Sequence, residues 1–180
     1  MTFKDYQNNY HHPVNNFSHA DFWGKNSEHE FGNHFVRWFG TLADKKIVAI
    51  RELPVPGSGI ADFIVVKQHD CAKTDQPRRT VQAFEFKIKD WRKGLMQAHR
   101  YKYFSNSSIL VVPSHTVKSA EKSIDLFKQL GVGLWAFNVS SLTVTKKFTP
   151  RPKKVMDAKR AAYVFDKAYG DHHDSCERSL

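Results

Sequence analysis

An acid and an amine two residues apart are the first chemical signal in this chain. In Phe84-Glu85-Phe86-Lys87-Ile88-Lys89 the residue types alternate, so an extended strand puts Glu85, Lys87 and Lys89 on one face and Phe84, Phe86 and Ile88 on the other. Same-face neighbours have α-carbons about 6.5 to 7 Å apart, near enough for both side chains to reach one reacting group. Asp62 interrupts the otherwise apolar run from Ile60 to Val66, where a carboxylate is costly to bury unless it is paired or holds a cation. Asp62, Glu85, the backbone carbonyl of Phe86 and water form an oxygen-rich ligand set suited to Mg²⁺ or Mn²⁺. Such an ion lowers the pKa of water and neutralises charge on a phosphodiester, and Lys87 would position or help deprotonate that water. The plainer alternative is a structural salt bridge from Lys87 to Glu85 or Asp62, and an Asp followed at a distance by Glu-x-Lys does not by itself choose between the two.

The residues that follow add weight. Asp90 can cap a helix beginning at Trp91, on which Lys93, Gln97 and Tyr101 recur every four residues as a polar stripe while Trp91, Leu95 and Ala98 can face a sheet. Gln97 has donor and acceptor atoms to orient a water or a phosphate oxygen, and the Tyr101 phenol can donate to the same group. Alternatively, Gln97 bonds backbone and Tyr101 packs. The stretch from Phe84 to Tyr101 resembles the active-site strand and helix of the restriction-endonuclease-like PD-(D/E)XK superfamily, in the branch where Glu-x-Lys runs into a Trp-containing helix carrying Gln-x-x-x-Tyr. The resemblance spans about Ser27 to Pro150, including Gly131-Val132-Gly133-Leu134, and departs from the family in having Ala61-Asp62 where Pro-Asp is common.

That resemblance implies Asp62 and Glu85 as metal ligands, Lys87 as the catalytic amine, and a further acid from the helix before the sheet. Glu28 fits that last role better than Glu30, because it shares the face of Phe31 and Phe35 while Glu30 can close a capping box with Ser27. It also implies a metal-dependent nuclease acting on nucleic acid, DNA by family habit, with a homodimer expected where both strands are cut. Lys89, Arg92, Lys93, Arg100 and Tyr101 are the expected nucleic-acid contacts, with Lys73, Arg78, Arg79 and Lys102 as further basic residues nearby. Glu52 is a strand-end carboxylate that could add a ligand. His29 and His99 are read as spectators, and the histidines of both ends receive no role.

The elements that must position these residues follow from periodicity. Phe31, Phe35, Trp38 and Leu42 recur at helical spacing after Ser27. Lys46 to Val55, the turn Pro56-Gly57-Ser58-Gly59, Ile60 to Lys67, a polar segment from Gln68 to Thr80, and Val81 to Lys89 predict a three-stranded meander. A helix from Trp91 to Phe104 and a strand over Ile109 to Pro113, apolar throughout and suited to burial on both faces, complete an α-β-β-β-α-β core. A helix around Ser119 to Leu130 closed by Gly131, then strands Leu134 to Val139 and Leu142 to Phe148, read as edge additions. The expected fold is therefore α/β, restriction-endonuclease-like, with a central mixed sheet flanked by helices. Its expected division is a loosely ordered arm (1–26), a nuclease-like domain (27–150), a basic amphipathic helix (151–170) and a flexible tail (171–180).

Bulk properties agree with this reading. The chain has 180 residues and 41% hydrophobic content, enough for one core, and 28 Lys and Arg against 18 Asp and Glu give a formal charge of +10 that attracts polyanions. The two cysteines, Cys71 and Cys176, have no metal-ligand or redox spacing. No apolar run reaches the roughly 18 residues of a membrane span and no apolar stretch resembles a signal peptide, so a cytoplasmic protein is expected. Two other readings are a non-catalytic nucleic-acid-binding subunit of a larger DNA-processing or defence assembly, and a scaffold in which Asp62, Glu85 and Lys87 form a buried ionic cluster.

Overall fold

The computed structural model describes residues 27–42, 47–69 and 78–169. The expected N-terminal arm and C-terminal tail, and most of the polar segment between the second and third strands, lie outside the described residues. Helix α1 (Ser27–Leu42) starts where expected, though the side chain of the expected cap, Ser27, is not among those described. Phe31 and Phe35 drive it onto the sheet and are fully buried, whereas Leu42, expected on the same face, is 64% exposed at the last turn.

Strands β1 (Ile47–Val55), β2 (Gly59–His69) and β3 (Arg78–Phe86) form the antiparallel meander. Helix α2 (Trp91–Arg100), continued by a 3₁₀ turn over Tyr101–Tyr103, crosses over to β4 (Ser107–Pro113), which runs parallel to β3. Helices α3 (Val117–Glu121) and α4 (Ile124–Leu130) lead to β5 (Val132–Asn138), parallel to β4, and β6 (Thr143–Phe148) returns antiparallel. The six strands form one mixed sheet in sequence order, and α5 (Ala158–Tyr169) closes the described chain. Among the described residues no helix is long and apolar enough to cross a membrane.

Three expectations change. The single helix expected over Ser119 to Leu130 is two short ones separated at Lys122 and Ser123; Gly131, at φ 65°, closes the second as expected, in the left-handed region that a Cβ disfavours. The last strand pair does extend one edge of the sheet, but β5, between β4 and β6, is an interior strand with Val132 through Phe137 buried on both faces. The third strand begins earlier and ends sooner than Val81 to Lys89. Lys87 N still donates to the Val111 carbonyl at 3.1 Å, but Ile88 N turns away toward Glu28 Oε1 at 3.4 Å. The chain must bend there to enter α2, whose first turn is capped by Asp90 Oδ1 accepting from Lys93 N at 3.1 Å.

The sheet separates two different cores. On the α1 face, Phe31, Phe35, Phe63, Phe84, Phe86 and Phe137 pack ring against ring, with Phe35 5.3–5.4 Å from the centroids of Phe84, Phe86 and Phe137. On the other face α2 and α5 cover Ile64, Val66, Val81, Ala83, Leu110 and Leu134. Burying each large apolar side chain contributes roughly 1.5–3 kcal/mol, so both layers are needed to hold a sheet of this size.

Candidate active site

The β2–β3 ladder runs as far as Phe63 opposite Phe84. One more step of the same register would place Asp62 opposite Glu85, but the strands part there. Asp62 Oδ2 fills the gap by accepting from Phe86 N at 2.7 Å. Two carboxylates therefore stand side by side where the sheet opens, on the face covered by α2. Glu85 is only 1% exposed.

Around this pair three other elements contribute. From the end of α2, the Tyr101 hydroxyl contacts both the Ile60 carbonyl, at 2.7 Å, and Glu85 Oε2. A phenol has one proton and a carbonyl only accepts. Its one proton is therefore directed between the Ile60 carbonyl and the Glu85 carboxylate, both of which accept from the phenol. Lys87 Nζ lies 3.2 Å from Glu85 Oε1 and 3.0 Å from Glu28 Oε2, so the first turn of α1 reaches round the strand end to hold the amine. The Lys87 stem crosses Gly94 of α2 so closely that a Cβ there would stand 2.5 Å from Lys87 Cγ.

The electrostatics follow from this crowding. Burial, and then the neighbouring Asp62 charge, push the Glu85 carboxyl up to about 7, against the pull of Tyr101 and Lys87. Asp62 is also raised by burial, with the Phe86 amide, Lys87 and Arg51 working the other way. Burial works to lower the Lys87 ammonium, but Glu85, Glu28 and Asp62 outweigh it and the net shift is upward. Tyr101, buried beside Glu85, is raised well beyond the range in which it would ionise.

Of the residues expected from sequence, Asp62, Glu85, Lys87 and Glu28 come together. Tyr101 joins them in a different role, since it is buried with its hydroxyl committed to Glu85 and Ile60 and does not face solvent phosphate. Phe86 contributes its N–H to Asp62. Gln97 is half-buried one turn before Tyr101, and its Oε1 has no hydrogen-bond partner among the described residues. Lys89, Arg92, Lys93 and Arg100 are exposed, and Arg92 lies 4.3 Å over the Trp91 ring. Among the other sequence candidates, Glu52 pairs with His29 at 2.8 Å and faces Arg51 at 3.6 Å, and His99 Nδ1 contacts the Leu130 carbonyl at 3.2 Å.

Arg51 was not singled out from the sequence. It leans over the Phe86 ring at 5.5 Å and exerts its charge on Asp62. The signal was present: one guanidinium in the apolar strand Ile47-Val48-Ala49-Ile50 is as conspicuous as Asp62 in the next. Arg160 was missed as well. From α5 it donates to the Gly57 carbonyl at 3.2 Å and contacts Ser58 Oγ at 3.0 Å, bracing the turn that leads into Ile60 and Asp62.

The donor chemistry fits a small divalent cation. Glu85 Oε1 is buried and, its ion pair with Lys87 apart, makes no aligned hydrogen bond among the described residues. Three carboxylates against two cations, Lys87 and Arg51, leave a net negative charge when all are ionised. Among the described residues no three His, Cys, Asp or Glu side chains form a metal-ligand group. Asp62 and Glu85 would thus supply two oxygens, with a backbone carbonyl and water completing the shell, as Mg²⁺ commonly accepts.

No family model matches the chain, and no curated protein matches it. Among solved structures it is similar to the SPO1766 protein of unknown function from Silicibacter pomeroyi, with 11% identity over 72% of this chain and 76% of that one and a TM-score of 0.46. That degree of likeness assigns neither family nor activity.

Proposed function

We propose that this chain is a divalent-metal-dependent nuclease of the restriction-endonuclease-like PD-(D/E)XK class, hydrolysing phosphodiester bonds of nucleic acid, with DNA as the substrate. The observation that carries the reading is the convergence of Asp62, Glu85, Lys87 and Glu28 at the point where β2 and β3 part. The α-β-β-β-α-β order of the first six main elements, with β4 parallel to β3, is the order such a fold requires.

Asp62 and Glu85 would hold the ion, which when bound supplies water activation and neutralises charge on the phosphodiester. Phe86 N–H fixes the Asp62 carboxylate, and Tyr101 fixes Glu85. Lys87 is aimed by Glu28 and would offset negative charge on the phosphoryl oxygens as the bond breaks. Gln97 would orient a water or phosphate oxygen, and Lys89, Arg92, Lys93 and Arg100 would contact backbone phosphates. Cleavage of both strands by one such centre calls for a second copy, hence a homodimer on duplex substrate.

The test is cleavage of supercoiled, linear and single-stranded DNA with Mg²⁺ or Mn²⁺, comparing wild type with Glu85→Ala and Lys87→Ala. Loss of activity by at least about a hundredfold in both folded variants is the expected result. A wild type that cuts nothing yet shifts DNA with steep salt dependence would instead identify a non-catalytic binding subunit.

A further inference from the structure

One residue beyond Lys87 the chain borders a cavity that lies beside the proposed metal centre and shares only Lys89 with the residues assigned above. It has a volume of about 460 Å³ and lies outside the carboxyl ends of the parallel strands β3 and β4. Open α/β sheets present ligand crevices at such ends. Trp91, Val112 and Ala120 give it an apolar floor, and Lys89, His115 and Lys118 give it a basic rim. Its wall is built: Trp91 Nε1 donates to Ser119 Oγ at 3.1 Å and ties α3 to the start of α2. Ile88 joins it to the catalytic centre, since Ile88 lines the cavity while its N–H donates to Glu28, the acid that holds Lys87.

We infer that this cavity receives one unpaired nucleotide next to the cleaved bond, its base against the apolar floor and its phosphate at Lys89 and Lys118, so that the enzyme acts on single strands, flaps or frayed ends. The size is that of a small-molecule site and suits one nucleotide. A base still paired in a duplex cannot leave its stack to enter without an unpairing cost of a few kcal/mol, whereas an unpaired base enters freely. Apolar surface beside cations suits an unpaired base next to its phosphate, with Trp91 contributing only a small part because Arg92 lies over its buried ring. The inference rests on the nuclease reading for the polymer bound, but its readout is strand preference and not cleavage.

The experiment is fluorescence anisotropy at fixed ionic strength, without metal, using a labelled oligothymidylate and a blunt duplex of equal length. Wild type is expected to favour the single strand by roughly tenfold or more. Lys89→Glu with Lys118→Glu should bring the ratio close to one, as should Ala120→Leu, which fills the floor. The matched charge reversal Lys154→Glu with Lys159→Glu should weaken both forms alike. Lys89 and Lys118 are exposed, so their variants keep the fold should Ala120→Leu lose it. No single-strand preference in wild type, or a preference unchanged in the rim variants, would overturn the cavity assignment. Metal-dependent cleavage lost in Glu85→Ala would then leave the nuclease reading intact. A preference carried by the rim in a chain that cuts nothing would overturn the nuclease reading alone.

Discussion

Under α1 the sheet presents Phe63, Phe84, Phe86, Trp135 and Phe137, whereas under α2 the same region presents Ala83 and the charged trio Asp62, Glu85 and Lys87, with Gly94 and Ala98 opposite. The first face fills space with rings, and the Trp135 Nε1–H within it donates to Thr149 Oγ1 at 2.8 Å. The second keeps its residues small where charged stems must pass. Adjacent residues of one strand, Phe86 and Glu85, serve the two purposes, because successive side chains leave a strand on opposite sides. Stability and chemistry can therefore be perturbed separately.

The strongest way to break this contrast is Phe35→Ala, which removes a ring at the centre of the aromatic face. It should cost about 3–5 kcal/mol in urea unfolding, and a loss below 1 kcal/mol would show that the face does not carry the fold. A pH series addresses the other face. Glu85 titrates near 7 when folded against an ordinary 4.5, so between those values the folded state keeps a proton that the unfolded state has lost. Stability should fall by roughly 3 kcal/mol as pH rises through that window. Glu85→Gln should abolish the slope. If the slope persists in that variant, another group is responsible.

Smaller effects sharpen the comparison. Gly94→Ala puts a methyl against Lys87 Cγ and Leu110 Cδ1, 2.5 and 2.6 Å from the ideal Cβ position. A cost of about 1–3 kcal/mol is expected, and under the proposed nuclease reading cleavage should fall further than stability alone explains because the amine is displaced. Mg²⁺ at ten times its Kd should stabilise wild type by roughly 1.4 kcal/mol in thermal melts and leave Glu85→Gln unmoved. Equal shifts in both proteins would place the ion elsewhere. Arg160→Ala, which frees the Gly57 carbonyl and Ser58, should cost about 1 kcal/mol with the smallest effect on unfolding of the five.

Much of the site was legible because its signals are local. Asp62 stands out by polarity in an apolar strand, Glu85 by period two, and Asp90 by its place before a helix whose fourth residue, Gly94, donates its N–H to the Asp90 carbonyl. What was not legible depends on partners distant in sequence. The end of β3 at Phe86 is set by Glu28, about sixty residues earlier, taking the Ile88 amide. Tyr101 reads as an exposed phosphate ligand from its stripe on α2, yet the 3₁₀ turn directs its hydroxyl to Ile60 and Glu85. No local pattern reveals Arg160 reaching back to the first hairpin.

By itself the sequence determined which residues bear charge, the period on which they recur, the caps and turns, and hence the meander, the crossover helix and the acids that could share a face. Those properties act over a few residues, through backbone geometry and side-chain polarity. Only the tertiary structure decided that β5 is an interior strand, that β2 and β3 part at Asp62, and that Glu28, Tyr101 and Arg51 meet the acids there. Those outcomes depend on the packing of two cores on one sheet, and the free energy of a contact between distant residues is set by the neighbours each has already acquired.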